Sequence, residues 1–423
     1  MVVSTYSQLN ISSTRLAHAC CEMSRLLAVA AAIAAIVLAR RHLHRRLVFL
    51  GSARLTGSSQ HTRSSDGREV FDTPGPFPLL PITKPATLQA CLALPLDCPT
   101  VFICSYPKSG TTWLQNIVYE IATRGRRPLD HISNYCPFLE NDQIWEHTRG
   151  APSALAPAYS TAHAEIGLRI FNTHLLWEML PGAAGESLTE RRSSARNRSQ
   201  GGGGGERDSA EGVEPPRFGK FIYIVRSPSD VCASFYQHLS HQAPDDGGYV
   251  GGVDSFVRDW CAGEVAFGKW TDHLASWLKP GPCFHDARTA PSTTVGHSPR
   301  VLVLSYEFLK SDLRSACRAI AEHLELELGE EELEAILPRL GFDYMKEHVA
   351  KFEPKSVAWL DKGDGFQFVR SGRVGDGAAV FGGDDHAERH FRLLLGPNGE
   401  RVPACCRGLS YWKQRCGQAP AQL

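Results

Sequence analysis

Apolar and polar positions alternate in blocks along this chain. Four short runs rich in β-branched and aromatic residues stand out: Val101–Ser105, Leu168–Asn172, Lys220–Val225 and Val301–Ser305. Their nearly continuous apolar content predicts strands covered on both faces. Segments of helical period follow several of them. Trp113, Leu114, Ile117, Val118 and Ile121 fall on one face, as do Phe256, Val257 and Trp260 and, further on, Phe267, Trp270 and Leu274. Strands alternating with helices predict an α/β fold, a single domain with a central parallel β-sheet flanked by helices. In such sheets ligands bind beyond the carboxyl ends of the strands.

The pattern also divides the chain. Residues 86–400 carry the α/β alternation. Residues 1–85 form an N-terminal targeting or anchor segment and a linker, and residues 401–423 form a tail. Two stretches interrupt the domain: residues 185–216, polar and rich in glycine, and the shorter 281–300. The N-terminal segment contains the apolar run Leu26–Ala39, whose 14 residues would make a helix of about 21 Å, short of the ~20 residues of an ordinary membrane span. It is flanked by arginines, and Glu22 is the only acid before residue 66. A signal anchor, a cleaved organelle presequence and a surface helix all fit that composition. The expected location is accordingly an endomembrane, an organelle or, without such a signal, the cytoplasm.

Composition excludes some functions. The 423 residues carry 45 basic and 45 acidic side chains, so the chain lacks the basic excess of a general nucleic-acid binder. Its 13 cysteines show no CxxC spacing and several sit inside apolar runs, which reads as buried thiols rather than a disulfide framework or metal site. His386 and His390 have helical spacing but no further ligand set beside them, so no metal is expected.

Candidate chemistry lies where strands end. After Val101–Ser105 comes Tyr106-Pro107-Lys108-Ser109-Gly110-Thr111-Thr112, then the helical pattern opening at Trp113. Unpaired amides and the electropositive end of a helix, a glycine admitting close approach, a lysine and three hydroxyls together make an oxyanion cradle. It is not GxxxxGK[ST], because the lysine precedes the glycine and the first glycine is missing. Strand Lys220–Val225 ends in Arg226, and Ser234 follows eight residues later in the next helix, so both could converge on one phosphate. A third basic, glycine-bearing loop is Phe368-Val369-Arg370-Ser371-Gly372-Arg373-Val374-Gly375-Asp376.

YPKSGTTW, VRSPSDVCASFY and VRSGRVGD, in this order and far apart, resemble the cytosolic-type sulfotransferase family, which uses 3′-phosphoadenosine 5′-phosphosulfate. Pro137-Phe138-Leu139-Glu140, Thr173-His174-Leu175, Gly263-Glu264-Val265 through Trp270 and Tyr306-Glu307-Phe308-Leu309-Lys310 match as well, so the resemblance spans roughly residues 90–385. It implies that Lys108, Ser109, Gly110, Thr111 and Thr112 hold the 5′-phosphosulfate. Trp113 would stack on the adenine, with Tyr306 and Phe342 nearby. Arg226, Ser234, Arg370, Ser371 and Gly372 would surround the 3′-phosphate. His174 would be the general base, with Lys108 and Ser234 beside it as catalytic residues, in a direct in-line transfer without metal. The acceptor would be a hydroxyl or amine of a small molecule or carbohydrate. Its pocket is expected around Pro137–Trp145 and after Tyr236.

Three positions depart from the family pattern. Asn172 stands where a lysine is usual two residues before the histidine, Ser371 replaces the lysine of Arg-Lys-Gly, and Gly377 replaces the tryptophan of Gly-Asp-Trp. Two other functions remain open on the residues. A P-loop kinase would need GK[ST] and a magnesium-holding aspartate, and a non-catalytic nucleotide-binding protein would tolerate Asn172 and Ser371.

Overall fold

The computed structural model describes residues 77–148, 153–181, 219–278, 284–286, 301–381 and 385–395. The apolar run 26–39, the stretch 185–216 and the tail 401–423 lie outside them. Among the described residues no helix is long and apolar enough to cross a membrane.

Five strands form one sheet: β1 (Thr100–Ser105), β2 (Arg169–Thr173), β3 (Gly219–Val225), β4 (Phe284–Asp286) and β5 (Val301–Ser305). Their order is β2-β1-β3-β5-β4, and every pairing is parallel. Four strands match the predicted runs to within one residue at each end. The fifth, β4, lies inside the expected interruption 281–300, where three edge residues are too few to leave a periodic signal.

The two faces of the sheet are built differently. On one, Phe102 sits opposite both Phe171 and Phe221 in register, with ring centroids 5.8 and 4.9 Å apart, and Trp177 and Trp277 continue the aromatic layer. The alternate residues Val101, Ile103, Ile170, Ile222 and Ile224 face an aliphatic core shared with helices α2 (Thr111–Thr123), α8 (Leu313–Leu324) and α9 (Glu330–Leu340). Among the described residues the other helices of six residues or more are α1 (Pro85–Ala93), α3 (Pro157–Ile166), α4 (Pro228–His241), α5 (Val253–Ala262), α6 (Trp270–Trp277), α7 (Tyr306–Ser311), α10 (Phe342–Glu347), α11 (Asp376–Phe381) and α12 (Asp385–Leu395).

Helix α2 is buried more widely than its one-face pattern predicts. Asn116 and Glu120 are buried too, because α9 covers the side away from the sheet, and Gln115 is buried where it lines the cavity described below. Arg339 of α9 grips Glu120 with two bonds of 3.1 and 2.8 Å, the Asn116 amide donates to the Arg339 carbonyl, and the Trp113 indole donates to the Leu340 carbonyl at 2.7 Å. These bonds fix the end of α9, and so the start of α10 at Phe342, against the start of α2. The chain joins the domain earlier than residue 86. Phe267 N–H donates to the Pro78 carbonyl at 2.6 Å, and Lys84 pairs with Asp142.

Candidate active site

Four parallel strands end on one edge and each delivers a piece of the site. The Tyr106–Thr112 loop follows β1, His174 follows β2, Arg226 follows β3 and Tyr306 follows β5. The loop after β1 leads toward β2 and the loop after β3 leads the other way, so the crevice between them is a topological switch point. There a cavity of about 360 Å³ opens, lined at its polar end by Lys108, Gly110, Thr112, Arg226, Ser234 and Arg370. Trp113, Tyr306, Lys310 and Phe342 line an aromatic end, and Ser371 and Gly372 reach it from the late loop.

The first loop is strained in a way that sets its shape. Lys108 has φ 68° and Gly110 φ 108°, both left-handed. A Cβ on Gly110 would lie 2.7 Å from the Tyr306 ring, so the β1 and β5 ends approach only because this residue lacks one. The first bond of α2 runs from Leu114 N–H to the Gly110 carbonyl, so the preceding amides are not engaged within the helix. The Thr111 hydroxyl is spent on Ser105 Oγ at 2.6 Å. Ser109 Oγ is buried without a hydrogen-bond partner, and so is Arg226 Nε.

Arg226 is held from several sides. Its Nη2 donates to the Arg373 carbonyl at 2.8 Å and lies 3.6 Å from Asp230, and its guanidinium lies 4.3 Å over the Tyr306 ring. Asp230 is fully buried and accepts from Gly375 N–H at 2.9 Å and Gly377 N–H at 2.7 Å. This carboxylate straps the late loop to α4, which carries Arg370, Ser371 and Gly372 to the cavity. The departure at Gly377 has a structural reason, since a Cβ there would lie 2.4 Å from the Ser229 backbone. Arg370 pairs with Asp376, and burial followed by the Arg226 charge lowers its pKa from the ordinary value.

His174 is anchored through its backbone and its ring. Its N–H donates to Glu140 Oε1 at 2.6 Å, and its carbonyl accepts from His273 Nε2 at 3.0 Å. Tyr223 lies 3.0 Å from the other nitrogen of His273, where its hydroxyl can donate. Burial pushes Glu140 up to about 8, against the opposing bonds from His174 N–H and Thr173. His174 Nδ1 lies 2.8 Å from the Ser105 carbonyl, which can only accept. Nδ1 therefore carries the proton, and Nε2 keeps its lone pair for the cavity that the ring lines. Burial first, then the Lys108 charge, lowers His174 to about 4. Asn172 also lines the cavity, but its amide nitrogen donates to the Cys136 carbonyl at 2.6 Å, so that donor is already engaged within the chain.

Next to His174 the cavity becomes apolar. Phe138 and Phe267 flank the imidazole at 5.4 and 5.2 Å, and Ile82, Ile144, Phe235 and Val357 continue the wall. The regions expected around Pro137–Trp145 and after Tyr236 both contribute, through Phe138, Asn141 and Ile144 and through His238, Leu239 and Gln242. Sequence reasoning missed residues 80–82, Phe267 and the stretch 352–357, which reach the cavity from distant parts of the chain. It did not single out Lys310, 5.8 Å over Trp113 at the end of a quoted stretch, or, within the expected region after Tyr236, His238, which lies four residues after Ser234 on one helix.

A family described as Sulfotransferase domain matches residues 98–189 and 219–381, more than half of the chain. Sulfotransferase 1E1 of Homo sapiens is 29% identical over 266 residues, covering 61% of this chain and 69% of its own length. Sulfotransferase 1C2 of Homo sapiens is 26% identical over 309 residues, covering 70% and 83%. The solved structure of mouse sulfotransferase SULT7A1 complexed with PAP is similar in fold, with a TM-score of 0.51 at 21% identity over 79% of this chain and 95% of that one. The chain belongs to the sulfotransferase family and is an enzyme of that class.

Proposed function

We propose that this enzyme moves a sulfuryl group from 3′-phosphoadenosine 5′-phosphosulfate to the hydroxyl of a small, apolar acceptor, with His174 as the base. The observation that carries this reading is the orientation of His174. Its Nδ1–H is committed to Ser105, leaving Nε2 as a proton acceptor in the same cavity as Lys108 and Arg226.

The donor's known fragment fits the residues present. The mouse relative is complexed with PAP. Here the buried, unpartnered Ser109 Oγ and Arg226 Nε are donors awaiting an acceptor, as anionic oxygens would provide. Lys108, Ser109, Gly110, Thr111 and Thr112 form the 5′ cradle. Trp113, Tyr306 and Phe342 supply aromatic faces for the base, and Arg226, Ser234, Arg370, Ser371 and Gly372 surround the 3′-phosphate. When bound, the donor supplies an electrophilic sulfur and a phosphate leaving group. The chain's part is to take the acceptor's hydroxyl proton at His174 Nε2 as the new O–S bond forms and the S–O bond to phosphate breaks. Lys108 and the first amides of α2 stabilise the charge left on that phosphate.

The apolar wall beside His174 favours a small apolar acceptor over a carbohydrate, which would require many polar partners. Two polar side chains there are tied into the chain, Asn141 Oδ1 accepting from Gln143 N–H at 3.1 Å and Gln242 Nε2 donating to the Asp246 carbonyl at 2.5 Å, while Gln242 Oε1 stays a buried acceptor without a partner, enough for one hydroxyl but not for a sugar. The test is transfer of radiolabelled sulfate from the donor to a panel of phenols, alcohols, amines and sugars, with His174→Ala as control. Label appearing only on sugars or only on amines would overturn the acceptor class.

Two further results are expected. Gly372→Ala sets a Cβ 2.3 Å from the Phe342 ring at a φ of 59°, so the late loop must shift. PAP affinity by calorimetry should fall about 5- to 150-fold, the equivalent of ~1–3 kcal/mol of strain. Deleting residues 1–70 should leave a soluble protein that binds PAP, because the described domain begins to pack at Pro78. An aggregated or PAP-blind product would refute that boundary and the assignment of residues 1–70 to targeting or anchoring.

A further inference from the structure

The cavity holds a second histidine that the reading above does not use. Helix α4 places Ser234 and His238 one turn apart, so both reach the cavity. Lys108 Nζ lies 3.3 Å from His238 Nδ1 and 4.6 Å over the Phe368 ring. His238 is packed edge-on against Trp359 at 5.0 Å, with Phe368 at 6.2 Å. That aromatic wall is itself tied to the end of α4, where Ala243 N–H donates to the Ala358 carbonyl at 2.9 Å and Leu360 N–H to the His241 carbonyl at 2.7 Å. Both ends of the Lys108 side chain are therefore constrained: the left-handed backbone at one and the imidazole at the other.

We propose that His238 is the positioning residue for the reaction's lysine, its Nδ1 accepting a hydrogen bond from Lys108 and holding the ammonium in the cavity. This rests on the reading of Lys108 as the cation that faces the transferred group. An ammonium can only donate, so a neutral His238 must present the Nδ1 lone pair and carry its proton on Nε2. Burial, then the Lys108 charge, holds His238 well below its ordinary value and so neutral. The environment of Lys108 otherwise opposes its charge. Burial, then the guanidiniums of Arg226 from β3 and Arg370 from the late loop, lower it to about 7. Asp230 and Asp376 neutralise those arginines, and His174 faces Lys108 in its neutral form. His238 favours the charged lysine by accepting from it, beside the face of the Phe368 ring.

The pair can be tested without donor or turnover. Lysines of the full chain carry 13C at Cε, and the Lys108 signal is assigned by its loss in Lys108→Arg. The Lys108 midpoint should fall by about half a unit to one unit in His238→Leu and in His238→Phe, which fill the ring's place without the nitrogen. It should return most of the way in His238→Asn, whose side-chain oxygen lies where Nδ1 was. In turnover with the best acceptor of the panel, His238→Leu should lower kcat several-fold and leave the PAP Kd within twofold. Midpoints unchanged in both Leu and Phe variants, or Asn as shifted as Leu, would overturn the proposal, as would equal loss of kcat and PAP affinity. A wild-type chain that transfers no sulfate would instead refute the proposed function, while the midpoints would still decide the pair.

Discussion

His174→Ala should lower kcat about 10²–10⁴-fold and leave the PAP Kd within twofold. The imidazole is placed to take a proton, and its contacts are to Ser105, Phe138 and Phe267 rather than to the cradle residues. The pH profile gives an independent check. The base works when neutral, and burial lowers His174 to about 4, so its limb in kcat/KM should fall only below about pH 4 rather than near 6.5. Lys108 works when charged, so its limb should fall on the alkaline side, near pH 7 in the free enzyme. An acid limb near 6.5 would show that the base works solvated rather than buried. A loss smaller than about tenfold in His174→Ala would remove the histidine from the chemistry altogether.

Asp230→Ala should be the most damaging change to the fold around the site. The substitution strands the Arg226 guanidinium, only 8% exposed, without its buried carboxylate, and leaves the Gly375 and Gly377 amides unpaired. Breaking a buried pair from one side typically costs ~3–5 kcal/mol, which for a domain of this size lowers Tm by about 5–10 °C. PAP affinity should fall with it, because the late loop that presents Arg370 and Gly372 is strapped by the same carboxylate. Asp230→Asn should be intermediate, since one amide oxygen can still accept but the charge is gone. An Asp230→Ala protein that melts with the wild type and binds PAP normally would show that the late loop is held by other means.

These two residues also show what can be read from the chain alone. His174 could be singled out because Thr173-His174-Leu175, just past a strand, matches the family pattern, and strand ends are where α/β sheets place ligands. Asp230 sits in a quoted motif, yet its role depends on amides some 145 residues away, a distance that no local pattern encodes. The parts played by Glu140, which also sits in a quoted stretch, by His273 and by His238 were illegible for the same reason: each acts through a partner on another element.

The amino-acid order by itself determined the α/β alternation, four of the five strands of the parallel sheet and the loop between β1 and α2. Those signals are local: burial on both faces writes continuous apolar runs, and a strand–turn–helix cradle is contiguous in the chain. Only the tertiary structure decided that α2 is buried on its polar side as well, that β4 extends the sheet edge, and that His174 keeps Nε2 free. Only there do Lys108, His238, Arg226 and the late loop meet in one cavity. The physical reason is that proton placement, charge pairing and cavity shape are set by groups within a few ångströms in space, whereas sequence records neighbours only along the chain.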